Sequence, residues 1–567
     1  MRVYEAIVKG LEGIGVSAAF GGAGENAAGL MLALKHSRIR PVITRHEQAA
    51  SFMACGHVMY TGQLGFCFAT AGPGAFNLFS GLAVAMSDSF PILAVSGFSS
   101  LEWKGKGALN ETSGFGRTPD SQKMFAATTK RSVLLTDISQ TCDVLEEAVN
   151  LAFEGRPGPV HIHVPENLTA HGLSVDYRDI RLKVVPVLPD SARVADTAEA
   201  LAAALAKGKK ILALIGFGTV RSSAQTELAS LLERWTIPFT TTLDGKGVIS
   251  EKHPLAVGLF CDSGHSEAWK AFVDAEVILA VGNSFAQHAT FNFRPDLLDR
   301  KTLIHINISA EEIDKVYKAD HAIIADAKAA LAALCQALAE RDPPKCAWRP
   351  ARHDHAAEHI IHLDEKIHPG QLVQALSARL PHDAFVLADA GAHAAWLGYY
   401  LNLSGGQRFR KPGSFGPMAG HTNGAIGLKC AYPDRPVIVG CGDGGYGLAG
   451  FELMTAVQYK LPVIWIIFND GEFKLIKLYQ LSAYHESGLV DFDNPDWAAY
   501  ARACGAIGHR VETLADFEGA LESALAADKP TIIDAQITRL AVPHYSSTPQ
   551  GVITGLAEMV KERIHLK

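Results

Sequence analysis

The sequence has no apolar run approaching the roughly 20 residues that cross a bilayer. Its most apolar stretch, "LPVIWIIF" (461–468), has the length of a buried strand. A basic surplus is also missing. The 567 residues carry 52 Lys and Arg against 59 Asp and Glu, a formal charge of −7, so neither a nucleic acid nor a membrane is expected as partner. Cysteine pairing signals are absent as well. The nine cysteines are an odd number, scattered, without C-x-x-C or zinc spacing, which reads as reduced structural thiols in a cytoplasmic protein. The start, "MRVYEAIVKGLEGIG", has acidic residues and helical periodicity instead of a signal-peptide pattern. Histidine is plentiful, with 23 residues, and its densest group, "RHDHAAEHIIHLDEKIH" (352–368), reads as a solvated linker and helix face.

What is present is a regular alternation of apolar strands and amphipathic helices, which predicts an α/β fold with parallel sheets. A chain of this length needs more than one core, and three domains is the natural expectation. Two composition breaks agree: the charged, Pro-bearing "HGLSVDYRDIRLKVVPVLPDS" (171–191) and "ERDPPKCAWRPARHDH" (340–355). They divide the chain into blocks at about 1–170, 185–340 and 358–545, followed by a tail over 546–567. Blocks one and three share a layout, in which a Gly-rich turn and a helix lead through a proline into a buried strand.

Residues 440–447 read "GCGDGGYG" after the apolar "RPVIV". Gly440, Gly442 and Gly445 fit the G-x-G-x-x-G fingerprint of a dinucleotide-binding turn. Asp443 inside that turn would repel a pyrophosphate approaching bare amides. A carboxylate belongs beside a diphosphate when a hard divalent cation lies between them, since Mg2+ takes oxygen ligands from carboxylates, phosphates and water. Asp470, in Asn469-Asp470-Gly471, lies 27 residues after Asp443. One helix and one strand separate them, so a βαβ crossover returns Asp470 to the neighbouring strand end.

A GDG followed at this distance by an N-D/N-x turn resembles the motif of thiamine diphosphate (ThDP) enzymes. The resemblance implies Mg2+ held by the side chains of Asp443 and Asp470 and the carbonyl of Glu472, although the second position is usually Asn. It also implies diphosphate against Gly442, Gly444 and Gly445. In "PVITRHEQAASF", Glu47 takes the place of the family's glutamate, whose carboxyl activates the aminopyrimidine. "TAGPGAFN" matches the turn that approaches the pyrimidine, with Gly72, Pro73, Gly74 and Asn77. "SFGPMAGHTNGAIGLKCAYPDR" puts Met418 where the family wedges the cofactor into a V shape, and "VLADAGAHAAW" puts Gly391, Ala392 and His393 beside the diphosphate. The resemblance covers nearly the whole chain. It implies a pyrimidine-binding, a central and a diphosphate-binding domain.

Within that family the chain is most similar to acetolactate synthases, through "TTLDGKGVISEKHPLAVG", "VILAVGNSF" and "TLIHINISAEEIDK" in the middle block. The resemblance implies a carboligase or lyase that decarboxylates a 2-keto acid and passes the acyl unit to an aldehyde or ketone. Its site would lie between subunits of a homodimer or homotetramer. Departures fall on the substrate side. Glu25 in "GGAGEN" stands where these synthases usually carry glycine and pyruvate decarboxylases carry an acid. As a buried carboxyl it could transfer protons. Asn110 in "GKGALNE" replaces a glutamine near the substrate carbonyls, and "TSGFGRTPDSQ" after it looks longer than in the synthases. Ile476 occupies an aliphatic position beside the cofactor, and Tyr479 replaces an acceptor-selecting tryptophan. FAD, held by some relatives, is possible but not favoured, because "NSFAQHATFNF" lacks their arginine. The alternatives are a non-oxidative 2-keto acid decarboxylase, an acyloin or 2-hydroxyacyl lyase and, from another class, a catalytically silent regulatory paralogue.

Overall fold

Eighteen strands gather into three parallel sheets of six in a computed structural model that describes residues 1–169, 172–355, 360 and 364–543. The 546–567 tail lies outside the described residues. The first sheet contains β1 (Ala18–Gly21), β2 (Arg40–Ile43), β3 (Gly65–Ala69), β4 (Ile92–Phe98), β5 (Arg131–Leu134) and β6 (Pro159–Pro165), in the order β2-β1-β3-β4-β6-β5. The second contains β7 (Ile211–Ile215), β8 (Phe239–Thr241), β9 (Ala256–Leu259), β10 (Val277–Val281), β11 (Thr302–Asn307) and β12 (His321–Ile324), in the order β12-β11-β10-β7-β8-β9. The third contains β13 (Phe385–Ala388), β14 (Arg408–Arg410), β15 (Val437–Gly442), β16 (Val463–Asn469), β17 (Ile507–Val511) and β18 (Thr531–Gln536), in the order β14-β13-β15-β16-β18-β17. The first and third sheets therefore have the same strand order. Central strands such as β16 are buried at every residue, which is why they read as unbroken apolar runs.

One hydrophobic core runs through the first and third units, from Phe20, Phe52 and Met53 to Ile426, Val439 and Trp465. Helix Glu47–Val58 crosses helix Gly420–Ala431 at glycines. A Cβ on Gly56 would lie 1.8 Å from the Gly424 carbonyl oxygen, and one on Gly427 would lie 1.8 Å from that of Met53. Such spacing admits no side chain at either crossing point. Arg410 joins all three units. Its guanidinium donates to Asp88 at 2.9 Å and Asp244 at 2.8 Å, and lies 3.7 Å from the Phe217 ring centroid. No helix among the described residues is long and apolar enough to cross a membrane.

Candidate functional site

Glu47 opens its helix immediately after the turn that leaves β2. That turn is held from the third unit, where Glu452 Oε1 accepts the backbone N–H groups of Arg45 at 2.9 Å and His46 at 3.0 Å. The Asn77 amide donates to Glu47 Oε2 at 2.9 Å. Gly22 and Gly74 wall the same carboxylate: a Cβ would come within 2.6 Å of Glu47 Oε1 from Gly22, and 3.1 Å from Gly74. Gly72, at φ 60°, packs against Asn110, whose Cβ would be 2.8 Å from a Cβ there. Pro73 opens the short helix Pro73–Asn77, where its missing N–H costs no helical bond. Glu47, Gly72, Pro73, Gly74, Asn77 and Asn110 thus form one cluster beyond the carboxyl ends of β1 and β3.

A second cluster lies beyond β15 and β16. Asp443 begins the helix Asp443–Ala449, and its carboxylate accepts from Gly471 N at 2.7 Å, Asn494 Nδ2 at 2.7 Å and Gly444 N at 2.9 Å. Burial pushes its pKa up, and no cationic side chain pairs with it among the described residues. Asp470 is also buried, which raises it to about 7, with Lys474 Nζ at 3.5 Å from its carboxylate. The Glu472 side chain is committed to Lys474 and Lys477, and its backbone carbonyl accepts from Lys474 N at 2.9 Å, which leaves one lone pair for another partner. Two neighbouring buried carboxyls, one without a counter-ion, form a hard-oxygen donor set suited to a divalent cation such as Mg2+.

The turn after β13 completes this edge. Asp389 is fully buried and accepts from Ala419 N at 2.7 Å, Thr422 Oγ1 at 3.0 Å and His421 N at 3.1 Å, so it caps helix Gly420–Ala431. Burial nevertheless lifts it to about 6. Gly391 (φ 151°) and Ala392 lead into a helix whose His393 ring lies over both Gly391 and Gly442. His393 Nε2 donates to the Asp389 carbonyl at 2.9 Å, and burial lowers the imidazole to about 4, so it is neutral. A Cβ on Gly444 would meet the Phe473 ring at 2.4 Å, and one on Gly445 would lie 3.3 Å from Asp389 Oδ2. The result is a bare backbone cradle at a helix N-terminus, a form that accepts phosphate groups. Met418, 39% exposed, stands at its rim before Ala419, which has φ 68°.

Three family descriptions match successive parts of the chain. "Thiamine pyrophosphate enzyme, N-terminal TPP binding domain" covers 1–118, the central domain covers 198–334 and the C-terminal TPP binding domain covers 389–535. The chain belongs to the thiamine pyrophosphate enzyme family. Among curated relatives it is 30% identical to the probable acetolactate synthase large subunit of Methanocaldococcus jannaschii, over 100% of this chain and 97% of that one. It is 29% identical to the corresponding Methanococcus aeolicus protein, over 99% and 96%. It is also 28% identical to acetolactate synthase isozyme 2 large subunit of Escherichia coli strain K12, over 95% and 96%. This is a ThDP-dependent enzyme of the acetolactate synthase-like branch.

As a ThDP enzyme the chain differs from the sequence reading at Glu25 and in the histidine group. Glu25, expected as a buried carboxyl, is exposed in the single chain because it stands on a short 3-10 turn at the domain surface. Ile476 and Tyr479 are 51% and 61% exposed on helix Lys474–Tyr484, and they touch neither cluster through a hydrogen bond. Among the described residues no hydrogen bond or ion pair joins the Glu47 cluster to Asp443 or Asp470. The histidine group is not wholly solvated: the His353 ring stacks on buried His265, centroids 3.5 Å apart. Both ring nitrogens of His265 are used, Nδ1 accepting from Leu259 N and Nε2 donating to the Tyr399 carbonyl, so it cannot ligate a metal without losing one.

Sequence reasoning missed Asp389, Asn494 and Glu452. Asp389 carried a usable signal, an acid at a strand's carboxyl end before Gly391, whereas Asn494 and Glu452 act only through distant segments. A cavity of about 1260 Å3 adjoins the cradle, lined in part by Gly216, Asn283, Arg156, Arg410, Lys411 and Gly391.

Proposed function

We propose that this ThDP enzyme is a Mg2+-dependent carboligase that decarboxylates a 2-keto acid, most simply pyruvate, and transfers the acyl unit to an aldehyde or ketone. When bound, ThDP supplies the electron sink for the pair released with carbon dioxide. Glu47, oriented by Asn77 and walled by Gly22 and Gly74, holds the proton at the aminopyrimidine ring nitrogen. Asp443, Asp470 and the Glu472 carbonyl hold the cation. Gly391, Ala392, His393, Gly442, Gly444 and Gly445 receive the diphosphate, Met418 supports the cofactor between its rings, and Gly72, Pro73 and Gly74 face the pyrimidine. Asn110 holds the acceptor carbonyl, Glu25 moves protons, and Ile476 and Tyr479 shape the acceptor side.

The observation that carries this reading is the pair of preformed clusters, one built around a single glutamate and one around two buried carboxyls of which Asp443 has no counter-ion, on two sheets of identical topology. Their separation within the chain supports a homodimer or homotetramer whose site is completed between subunits. Exposed apolar side chains at Ile476 and Tyr479 agree, since such surface is usually covered.

The deciding experiment is a 1H NMR product profile with pyruvate, ThDP and Mg2+, with Glu47→Gln as control. Acetolactate or acetoin that disappears in the variant supports carboligation. Acetaldehyde alone would replace it with simple decarboxylation, the second reading, which Glu25 favours. No turnover with intact ThDP binding would refute pyruvate as donor. The cavity beside the cradle is large enough for a dinucleotide, yet Arg410 and Arg156 are committed to Asp88 and Glu312. Flavin stays outside the reading, and absence of the 450 nm band in purified protein tests that.

A further inference from the structure

Six side chains in the first unit form one chain of hydrogen bonds, buried from His161 to Thr112 and half-buried at Ser132. His161 and His163 lie two residues apart on β6 and so on one face of the sheet, opposite Ser132 on β5 and Ser96 on β4. Ser132 Oγ is 3.0 Å from His161 Nδ1, and His161 Nε2 is 2.9 Å from Ser96 Oγ. Ser96 Oγ is 2.9 Å from His163 Nδ1, His163 Nε2 is 3.0 Å from Ser121 Oγ, and Ser121 Oγ donates to Thr112 Oγ1 at 2.7 Å. Both imidazoles are fully buried and held neutral by that burial, His163 at about 3. Phe125 stacks on His161 at 3.8 Å and shuts water out.

The stoichiometry of this chain is restrictive. A neutral imidazole has one donor and one acceptor nitrogen, and a hydroxyl has one proton. With Ser121 donating to Thr112, Ser121 must accept from His163 Nε2, Ser96 must donate to His163 Nδ1, and His161 must donate to Ser96. Each ring nitrogen is then satisfied in one direction, and no member can be lost without leaving a buried group unpaired. The chain ends on the segment that carries Asn110. Ser121 N also donates to the Thr112 carbonyl at 3.1 Å. Beside it, the Glu111 carboxylate gathers Gly105 N at 2.5 Å, Gly107 N at 2.9 Å, Ala108 N at 3.1 Å and Ser113 Oγ at 2.5 Å. Asn110 itself is held at φ 57° against Gly72.

We propose that His163 and Ser121 are positioning residues that fix the 104–121 segment to the first sheet and thereby hold Asn110 at the acceptor. The acceptor part rests on the carboligase reading; the anchoring part does not. No contact of either residue with cofactor or substrate is needed, because both act through Thr112 and Glu111.

Two conservative substitutions separate the ends of the imidazole. A glutamine amide at 163 reaches the place of Nε2 and keeps the bond to Ser121, whereas an asparagine amide reaches only the place of Nδ1 and keeps Ser96. Amide hydrogen exchange on the holoenzyme reads the anchor directly. In His163→Asn and Ser121→Ala the amides of residues 105–118 should exchange about tenfold faster, and in His163→Gln within about threefold of wild type. In steady-state kinetics, Ser121→Ala and His163→Asn should raise the acceptor KM about tenfold with donor consumption unchanged, and His163→Gln should restore it. Equal exchange in the Asn and Gln variants, or unchanged exchange in Ser121→Ala, overturns the anchoring. Faster exchange with an unaltered acceptor KM overturns the link to Asn110. A wild-type enzyme that makes no hydroxyketone refutes the carboligase reading instead, and the exchange data still decide the anchor.

Discussion

Lowering the pH from 7 to 5.5 should unfold this protein's balance of buried histidines. His57, His161, His163, His265, His393 and His421 are all buried, and burial depresses each. In the folded chain burial holds His57, His393 and His421 at about 4 and His163 at about 3. An unfolded histidine takes up its proton near pH 6.5, so between 6.5 and 4 only the unfolded chain gains protons and stability falls with pH. Each residue costs about 1.3 kcal/mol over this interval, and the six together about 8 kcal/mol.

Carboxyls act with the opposite sign. Asp389 and Asp534 are raised to about 6 and Asp470 to about 7, all chiefly by burial, so the folded chain takes up protons that the unfolded chain does not until near pH 4. Their stabilisation grows as pH falls and recovers about 3 kcal/mol, less if a cation occupies Asp470. For these nine groups the net loss is about 4–5 kcal/mol, a large share of the 5–15 kcal/mol that holds a typical domain, and His305 and His355, which burial also depresses, add to it. The assay is the melting temperature from pH 7 to 5.5, together with calorimetric proton uptake, expected at about three protons or more on unfolding at pH 5.5. His57→Gln, away from both clusters, should flatten the dependence by close to one proton. A melting temperature constant across the interval, or a His57→Gln slope equal to wild type, would refute the reasoning.

Arg410→Met leaves the buried Asp88 carboxylate unpaired and should destabilise by about 3–5 kcal/mol, with Asp88→Asn restoring much of it in a double variant followed by thermal melting. Gly56→Ala drives a methyl into the Gly424 carbonyl and should cost about 3 kcal/mol or more, read as loss of soluble protein or a lowered melting temperature. Asn494→Ala removes the amide that orients Asp443, and isothermal titration of Mg2+ in the presence of ThDP should show affinity weakened by about 10- to 100-fold.

How much of this was legible follows from sequence distance. The three parallel sheets were readable because their central strands are buried on both faces and their connecting helices are amphipathic. Asp443 and Asp470 were readable together because one βαβ unit fixes their relation. Glu47 was readable only through resemblance, since the Gly22 and Gly74 walls that define its carboxylate come from two other turns. Asn494 and Glu452 were not readable at all: an asparagine after a loop and a glutamate in a helix carry no local pattern that reveals a partner 51 or 406 residues away. The histidine linker was misread for a related reason. Composition marked it polar, but His353 reaches His265 across 88 residues of sequence.

The shared strand order explains why the scattered parts converge. In the first sheet the strand order reverses between β1 and β3 and in the third between β13 and β15, and open α/β sheets bind ligands at that switch point. Gly22 after β1 corresponds to the Gly391 turn after β13, and the Gly72–Gly74 turn after β3 corresponds to the Gly442–Gly445 turn after β15. The correspondence is one of position in the sheet, not of sequence, which is why no repeat is visible in the letters. Each unit has kept its backbone turns bare of side chains at the same place and then furnished it differently: the first with one glutamate, the third with two aspartates and a helix N-terminus. On the proposed reading, a ligand with a ring to be protonated and a diphosphate to be neutralised requires both kinds of furnishing, and neither unit alone provides them.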